Sequence, residues 1–315
     1  MTEIHIPVSL ERTVELLAPA IEGKEHPIVV DGTLGLAGHS FELLSRFPHL
    51  TIIGIDRDSD AIAHAARRLE KFGGRARIYR DTYDNLGRIL DEFGTRLVDG
   101  ILLDLGVSSL QLDDVNRGFS YSQESDLDMR MDRSQGLTAA EVLATYSEAE
   151  LGTILREYGE ERFAPRIAKA IVTERMANPI RSSSALVDLI KRVIPAPARR
   201  LGGNPAKRTF QALRIEVNGE LNILDRALPI ALERLALGGR MVVLSFQSLE
   251  DRIVKRHFAQ ATHRKDLPGL PVALPSDEAK FALIFNGSEK ASAQEITVNP
   301  RAASVRIRAI TRVAA

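Results

Sequence analysis

The sequence predicts an α/β protein, a doubly wound and mostly parallel sheet interrupted by an inserted helical domain. Three observations predict it. Short apolar runs alternate with helical periodicity from residue 28 to residue 105. After Gly106 that rhythm stops for about 110 residues and then resumes near residue 218. The first apolar run ends in a glycine-rich turn, Asp31-Gly32-Thr33-Leu34-Gly35-Leu36-Ala37-Gly38-His39, and the second ends in Asp56.

The elements follow in order. Residues 9–22 read as a helix, with Val14, Leu16, Leu17 and Ile21 near helical spacing and Ser9 as its N-cap. Strands at 28–31, 51–56, 76–80 and 98–105 alternate with helices at 37–47, 58–71 and 84–93. Gly100-Ile-Leu-Leu-Asp104 is apolar on consecutive positions, as in a strand covered on both faces, so it belongs at the centre of the sheet. The inserted stretch favours helices, with loops at 116–133 and around Pro195, Pro197, Gly202, Gly203 and Pro205. A helix at 218–236, a strand at 239–246 and a helix at 248–261 restore the alternation. Two late runs, 281–285 and 304–312, pair antiparallel as an edge hairpin and bring the sheet to seven strands. Both ends of the chain thus complete one domain, 1–112 with 215–315, around an inserted helical domain at 113–214.

Composition narrows the chemistry. With 315 residues, 44% hydrophobic and 27% charged, the chain has the makeup of a soluble globular protein. No apolar run reaches the roughly 18 to 20 residues of a membrane span, and residues 1–7 do not form a leader, so a cytoplasmic protein without membrane contact is expected. There is no cysteine, which excludes disulfides, thiolate metal sites, cysteine nucleophiles, methylation at pyrimidine carbon 5 and zinc-dependent base deamination. The seven histidines are scattered, so no metal is expected. Net charge is zero but unevenly laid out: residues 84–160 carry 6 basic and 16 acidic side chains, and residues 162–214 carry 12 basic and 2 acidic. The second stretch is where phosphates belong.

Gly32, Gly35 and Gly38 recur every third position, unlike the G-x-G-x-x-G that cradles a pyrophosphate. With Asp56 placed 25 residues after Asp31 to meet ribose hydroxyls, the turn suits a ligand with adenosine but no phosphate, of which S-adenosylmethionine is the common one. In open α/β sheets ligands bind at the carboxyl ends of the strands, which here deliver residues 31–39, Asp56, residues 81–83 and residues 104–109 to one rim. Backbone around Ala37, Gly38 and His39 is expected to hold the methionine part, Asp56 the ribose, Tyr83 the adenine, and Asp104 the sulfonium side. Methyl transfer is an in-line displacement that relies on positioning. Asp104 either accepts the hydrogens of an attacking exocyclic amine or holds the methionine amine, and both roles stand. A nicotinamide-dependent oxidoreductase would share the turn and the acid, but no pyrophosphate fingerprint is present. A non-catalytic RNA-binding assembly factor, or a methyltransferase acting on a DNA amine or another RNA, would share more.

A set of motifs spans nearly the whole chain. They are Asp31-Gly-Thr-Leu-Gly35, His39-Ser40, Asp104-Leu-Gly-Val-Ser-Ser109, Gln111-Leu-Asp113, Arg117-Gly-Phe119-Ser120, Asp126-Leu-Asp-Met-Arg-Met-Asp132, Gly159-Glu-Glu-Arg-Phe163, Arg208-Thr-Phe-Gln-Ala-Leu-Arg214 and Ser248-Leu-Glu-Asp-Arg-Ile-Val-Lys255. Together they resemble the bacterial 16S rRNA (cytosine-N4)-methyltransferase H family (RsmH, also called MraW). The resemblance implies a Rossmann-like class I S-adenosylmethionine-dependent methyltransferase with an inserted helical substrate-recognition domain. It implies methylation of the N4 amine of a cytidine in the decoding centre of 16S rRNA, within the small ribosomal subunit, and it admits a homodimer. Carried over by position, the cofactor contacts are Ala37, Gly38, His39, Asp56, Tyr83, Asp104 and Gln111, with Asp31 and Gly35 in the same turn. The family commonly has His where Gln247 stands, so no histidine base is expected there. For the RNA, the candidates are Arg130 in the 129–133 loop and Arg199, Arg200, Lys207, Arg208 and Arg214. Phe119 and Phe210 either stack on a flipped base or belong to the core of the insert.

Overall fold

The computed structural model describes residues 7–199, 204–263 and 279–314. The chain forms two compact units, one built from residues up to Gly106 with those from Leu221 onward, the other Val107–Glu220.

In the first unit, α1 (Leu10–Ile21) precedes β1 (Ile28–Asp31), α2 (Gly38–Arg46), β2 (Thr51–Asp56), α3 (Ser59–Leu69), β3 (Ala76–Arg80), α4 (Leu86–Phe93) and β4 (Val98–Asp104). The second unit holds α5 (Ser109–Asp113), α6 (Ala139–Thr145), α7 (Glu148–Glu157), α8 (Ala164–Ala177), α9 (Ser183–Val193), α10 (Ala196–Arg199) and α11 (Lys207–Asn218). The chain then returns through α12 (Glu220–Glu233), β5 (Leu235–Ser245), α13 (Ser248–Ala261), β6 (Phe281–Leu283), α14 (Ala293–Val298) and β7 (Arg306–Arg312).

Among the described residues the strands form one seven-stranded sheet in the order β3-β2-β1-β4-β5-β7-β6. The first five pair in parallel, whereas β7 runs antiparallel to both β5 and β6, so the late hairpin is the edge. β4 is central, and its side chains alternate between two apolar layers: Leu102 joins Val29, Ile52 and Val242 on one face, while Ile101 and Leu103 join Val30, Ile53 and Val243 on the other. Burial of both faces explains why β1, β2 and β4 read as continuous apolar runs. The parallel register brings Asp31, Asp56, Asp104 and Ser245 to the carboxyl edge of the sheet.

Ser9 stands at the N-cap position of α1, but it does not cap the helix through its side chain. Its backbone is left-handed, with φ 51°. Its N–H donates to Glu295 Oε1 of α14 at 2.5 Å, so a carboxylate 286 residues away fixes the entry to α1.

The helical unit has its own core, which includes Leu143, Leu151, Ile167, Ile171, Leu186, Ile190 and Leu213. Helices α6 and α7 start with reciprocal capping boxes, Thr138 with Glu141 and Ser147 with Glu150. The 126–133 loop is tied down by two polar side chains. The Arg117 guanidinium, 1% exposed, donates to the carbonyls of Arg130 and Met131, both at 3.1 Å. Asn218 accepts from Met131 N–H at 2.8 Å and donates to Met129 C=O at 2.8 Å. These ties explain why the compact unit runs Val107–Glu220 rather than 113–214: Arg117 and α5 belong to it at one end, and the Arg214–Glu220 ion pair closes it at the other.

Candidate active site

The turn after β1 is stitched into the sheet by its own backbone. Gly32 N–H donates to Leu102 C=O at 2.9 Å, Leu34 N–H to Ile55 C=O at 3.0 Å, and Ala37 N–H to Leu34 C=O at 2.7 Å. Gly35 and Ala37 both take left-handed conformations, with φ of 50° and 57°. Gly35 does so freely; Ala37 carries a Cβ where glycine is preferred. At Gly32 a Cβ would lie 2.6 Å from Leu103 Cδ2 and 3.0 Å from Tyr83 Cβ, so glycine is needed for close packing as well as for turning. The turn delivers the N-terminus of α2, whose first amides have no carbonyl partner within the helix and carry the positive end of its dipole.

Three acids ring this turn. Asp56 accepts from Gly35 N–H through Oδ2 at 2.7 Å and from Asp58 N–H through Oδ1 at 2.9 Å. Each oxygen keeps a second lone pair, which is the arrangement needed to receive a pair of hydroxyls. Burial pushes its carboxyl above the ordinary value, against the two amide bonds. Asp31 accepts from Ser40 Oγ–H at 2.6 Å and from Thr33 N–H at 3.3 Å, and burial pushes it up to about 6.

Asp104 is raised further than Asp31. Its N–H donates to Thr33 Oγ1 at 2.6 Å, which locks the end of β4 to the turn. Its Oδ1 is buried without a hydrogen-bond partner. Burial first, then the charges of Asp31 and Glu250, push its carboxyl up to about 8. His39, 5% exposed, directs Nε2–H at the carbonyl of Val8 at 3.1 Å, so Nδ1 is the nitrogen carrying the lone pair. Nδ1 stands 3.7 Å from Asp104 Oδ2, beyond hydrogen-bond range but close enough to sense its charge.

The end of β5 adds groups that sequence reasoning missed. Glu250 Oε2 accepts from Phe246 N–H at 2.8 Å and from Gln247 N–H at 3.2 Å, and Gln247 Nε2–H donates to Glu250 Oε1 at 2.9 Å. Ser245 Oγ and Gln247 Oε1 are buried with no hydrogen-bond partner, like Asp104 Oδ1. Their position after a buried apolar strand that parallels β4 was the signal available for them.

Asp31, Gly35, Ala37, Gly38, His39, Asp56 and Asp104 therefore share one rim, and Tyr83 packs its Cβ against Gly32 beside it. The expectation that the Ala37 amide serves a ligand needs correction, because that N–H is used by Leu34 C=O. Gln111 lies in the other unit, where it forms the capping box of α5: its Oε1 accepts from Ser108 N–H at 3.0 Å.

The RNA candidates sort by their neighbours. Arg130 is ion-paired with Asp128 at 2.7 Å and Arg214 with Glu220 at 2.9 Å, so both charges are met in place. Arg208 donates to Glu160 C=O at 3.1 Å and keeps its charge. Lys207 is exposed in the first turn of α11, Arg199 closes α10, and Arg200 lies outside the described residues. Phe119 and Phe210, 7% and 3% exposed, belong to the core of the helical unit, which removes the stacking role for both.

The unpartnered buried carboxyl oxygen, the two-hydroxyl acceptor and the helix N-terminus fit a ligand bearing a cation, a diol and a carboxylate. Among the described residues no group of three or more His, Cys, Asp or Glu side chains is placed to hold a metal ion, and no helix is long and apolar enough to cross a membrane.

Curated relatives share this chain nearly end to end. A "Ribosomal RNA small subunit methyltransferase H" from Salinispora arenicola is 54% identical over 309 residues, 98% of this chain and 83% of that protein. One of the same name from Thermobifida fusca is 54% identical over 308 residues, 98% of this chain and 93% of its own length. Another, from Clavibacter michiganensis, is 54% identical over 312 residues, covering 99% and 98%. With residues 2–313 matching its family pattern, the chain belongs to the MraW methylase family.

Proposed function

We propose that this protein transfers a methyl group from S-adenosylmethionine to the N4 amine of a cytidine in the decoding centre of 16S rRNA. It does so in the cytoplasm on the small ribosomal subunit, with the helical unit as the RNA-recognition element. The names of the relatives support the rRNA of the small subunit as substrate. The single observation that carries the chemistry is the buried, unpartnered Oδ1 of Asp104 at the carboxyl end of the central strand.

When bound, S-adenosylmethionine supplies an electrophilic methyl group on a positively charged sulfur. The chain does the rest by position. Asp56 accepts the ribose hydroxyls with the lone pairs left over from its two amide bonds. The N-terminus of α2 at Gly38 and His39 would hold the methionine carboxylate, since partial positive charge there favours an anion. Cytosine N4 is a weak nucleophile because its lone pair is delocalised into the ring. In its ionised form Asp104 Oδ1 would accept one N4–H, favour a pyramidal nitrogen, and take the proton that N4 sheds as its bond to the methyl carbon replaces that carbon's bond to sulfur. A carboxyl held near pH 8 is matched to that task at neutral pH.

A second reading rests on the neighbours of Asp104. Asp31 and Glu250 surround it with negative charge, a setting that also suits the methionine ammonium. Asp104→Asn separates the two. As acceptor for the base, its loss lowers kcat by about 10²-fold or more with the Kd of S-adenosylmethionine unchanged. As partner of the ammonium, its loss raises that Kd instead. The experiment offers methyl-labelled S-adenosylmethionine with small subunits, free 16S rRNA and DNA, followed by digestion to nucleosides. Label in N4-methylcytidine from small subunits is expected; label elsewhere, or none, overturns the proposal.

A further inference from the structure

From Arg57 to Arg80 the first unit carries seven cations against three acids, Asp58, Asp60 and Glu70. Asp58 is already committed to capping α3, where it accepts Asp60 N–H at 3.0 Å. Among the described residues, Arg67, Arg68, Lys71, Arg75 and Arg77 have no carboxylate within ion-pair distance; the polar contacts of the first four are with backbone carbonyls and rings. Phe41 and Phe72, both half-buried, meet edge to face at 5.5 Å between centroids. Lys71 Nζ lies 4.1 Å from the Phe41 centroid and 4.8 Å from that of Phe72. The guanidinium of Arg68 lies 5.1 Å from Phe41 and that of Arg75 lies 5.2 Å from Phe72.

An aromatic face attracts a cation without neutralising it. The two rings therefore hold Lys71, Arg68 and Arg75 in place, reducing the side-chain entropy that a ligand must take from them, and leave their positive charge intact. Arg67, Lys71 and Arg77 are exposed. In the helical unit, by contrast, Arg130, Arg192 and Arg214 are discharged by Asp128, Glu174 and Glu220 at 2.7, 2.9 and 2.9 Å. The patch also reaches the active site: Arg68 Nη1–H donates at 3.1 Å to the carbonyl of Leu36, the residue before Ala37 in the glycine-rich turn.

We infer that the surface of α3 and the turn after it, centred on Arg67 and Lys71 beside the Phe41–Phe72 pair, binds phosphates of the RNA flanking the target nucleotide. This rests on the rRNA reading above. A row of unneutralised cations leading to the rim fits a polyanion with regularly spaced charges, and the surface needs no base-specific contact to serve as a track.

The test compares wild type with Arg67→Glu/Lys71→Glu and with the milder Arg67→Gln/Lys71→Gln. Calorimetry with S-adenosylmethionine is expected to be unchanged in both variants. Affinity for small subunits, measured from 50 to 300 mM salt, is expected to fall about tenfold at 100 mM. The slope of log affinity against log salt is expected to flatten by about 1.5, the loss of two phosphate contacts. Protein-free 16S rRNA is expected to show the same flattening. An unchanged slope with active wild type overturns the inference and leaves the reaction standing, whereas wild type that methylates no small subunits overturns the reaction itself. A loss on subunits without any loss on protein-free rRNA assigns the patch to a ribosomal protein and overturns the inference. Loss of S-adenosylmethionine binding in both variants overturns it too, by making the patch a support of the cofactor site.

Discussion

Replacing Asp104 by Asn should stabilise the protein, and increasingly so as pH rises. The folded carboxyl sits at about 8 against an ordinary value of 3.8, because burial and the charges of Asp31 and Glu250 oppose its ionisation. The raised value fixes the sign. Between those two pH values the folded state holds a proton that the unfolded chain has released, so stability falls as pH rises through the window and levels off above it. Each pH unit crossed costs about 1.4 kcal/mol, so the wild type loses about 4 kcal/mol between pH 5 and pH 8 through this one group. Asn does not titrate, preserves the shape, and leaves the backbone bond from residue 104 to Thr33 Oγ1 in place. The assay is urea unfolding of ligand-free protein, followed by far-UV circular dichroism at pH 5, 6.5 and 8. The gap between variant and wild type should widen by about 4 kcal/mol across that range. Asp104→Ala should show the same widening from a lower starting stability, since the slope reads ionisation and the offset reads packing. A gap that stays constant from pH 5 to pH 8 would refute the claim that partial burial and like charges raise the Asp104 carboxyl.

Three other outcomes follow from the same geometry. Asp56→Ala removes the acceptor for a hydroxyl pair and should raise the Kd of S-adenosylmethionine at least tenfold in calorimetry, about 1.4 kcal/mol or more. Gly118→Ala should destabilise the helical unit by about 3 kcal/mol, read as early cleavage in limited proteolysis, because φ is 75° and a Cβ would strike the Asp126 carbonyl. Lys207→Ala should flatten the salt dependence of small-subunit binding by about 0.8, whereas Arg214→Ala should leave it unchanged, because Glu220 already neutralises Arg214.

The alternation of buried strands was legible because β1, β2 and β4, covered on both faces, must be apolar on consecutive positions, a pattern that no surface helix imitates. The rim acids were legible for a related reason: Asp31, Asp56 and Asp104 each terminate such a run. Pairing was not legible. The basic count over 162–214 treats Arg192 and Arg214 as free charge, yet Glu174 and Glu220 discharge them, and the first of those carboxylates lies 18 residues away. The reverse holds over 57–80, where the cations of α3 and of the turn after it look like an ordinary solvated face until Phe41, from an earlier helix, gathers Arg68 and Lys71. Likewise no local pattern announces that Ser9 is held by Glu295 or that Glu250 raises the carboxyl of Asp104.

The electrostatics of the rim lead to a test of what Asp104 faces. At pH 7 a carboxyl titrating at about 8 is mostly protonated, and a cation brought against it lowers its pKa. Binding such a ligand must therefore release close to one proton, which calorimetry detects by repeating the titration in buffers of different ionisation enthalpy. S-adenosylmethionine and S-adenosylhomocysteine carry the same ammonium and differ in the charge on sulfur. If Asp104 lies toward the reacting sulfur and the incoming amine, the first releases more protons than the second. If it pairs with the ammonium, both release the same number. Asp104→Asn should abolish the release in either case. A release that persists in that variant would mean that another group is the one that senses the ligand. Asp104 would then lose its place as the group that meets the substrate.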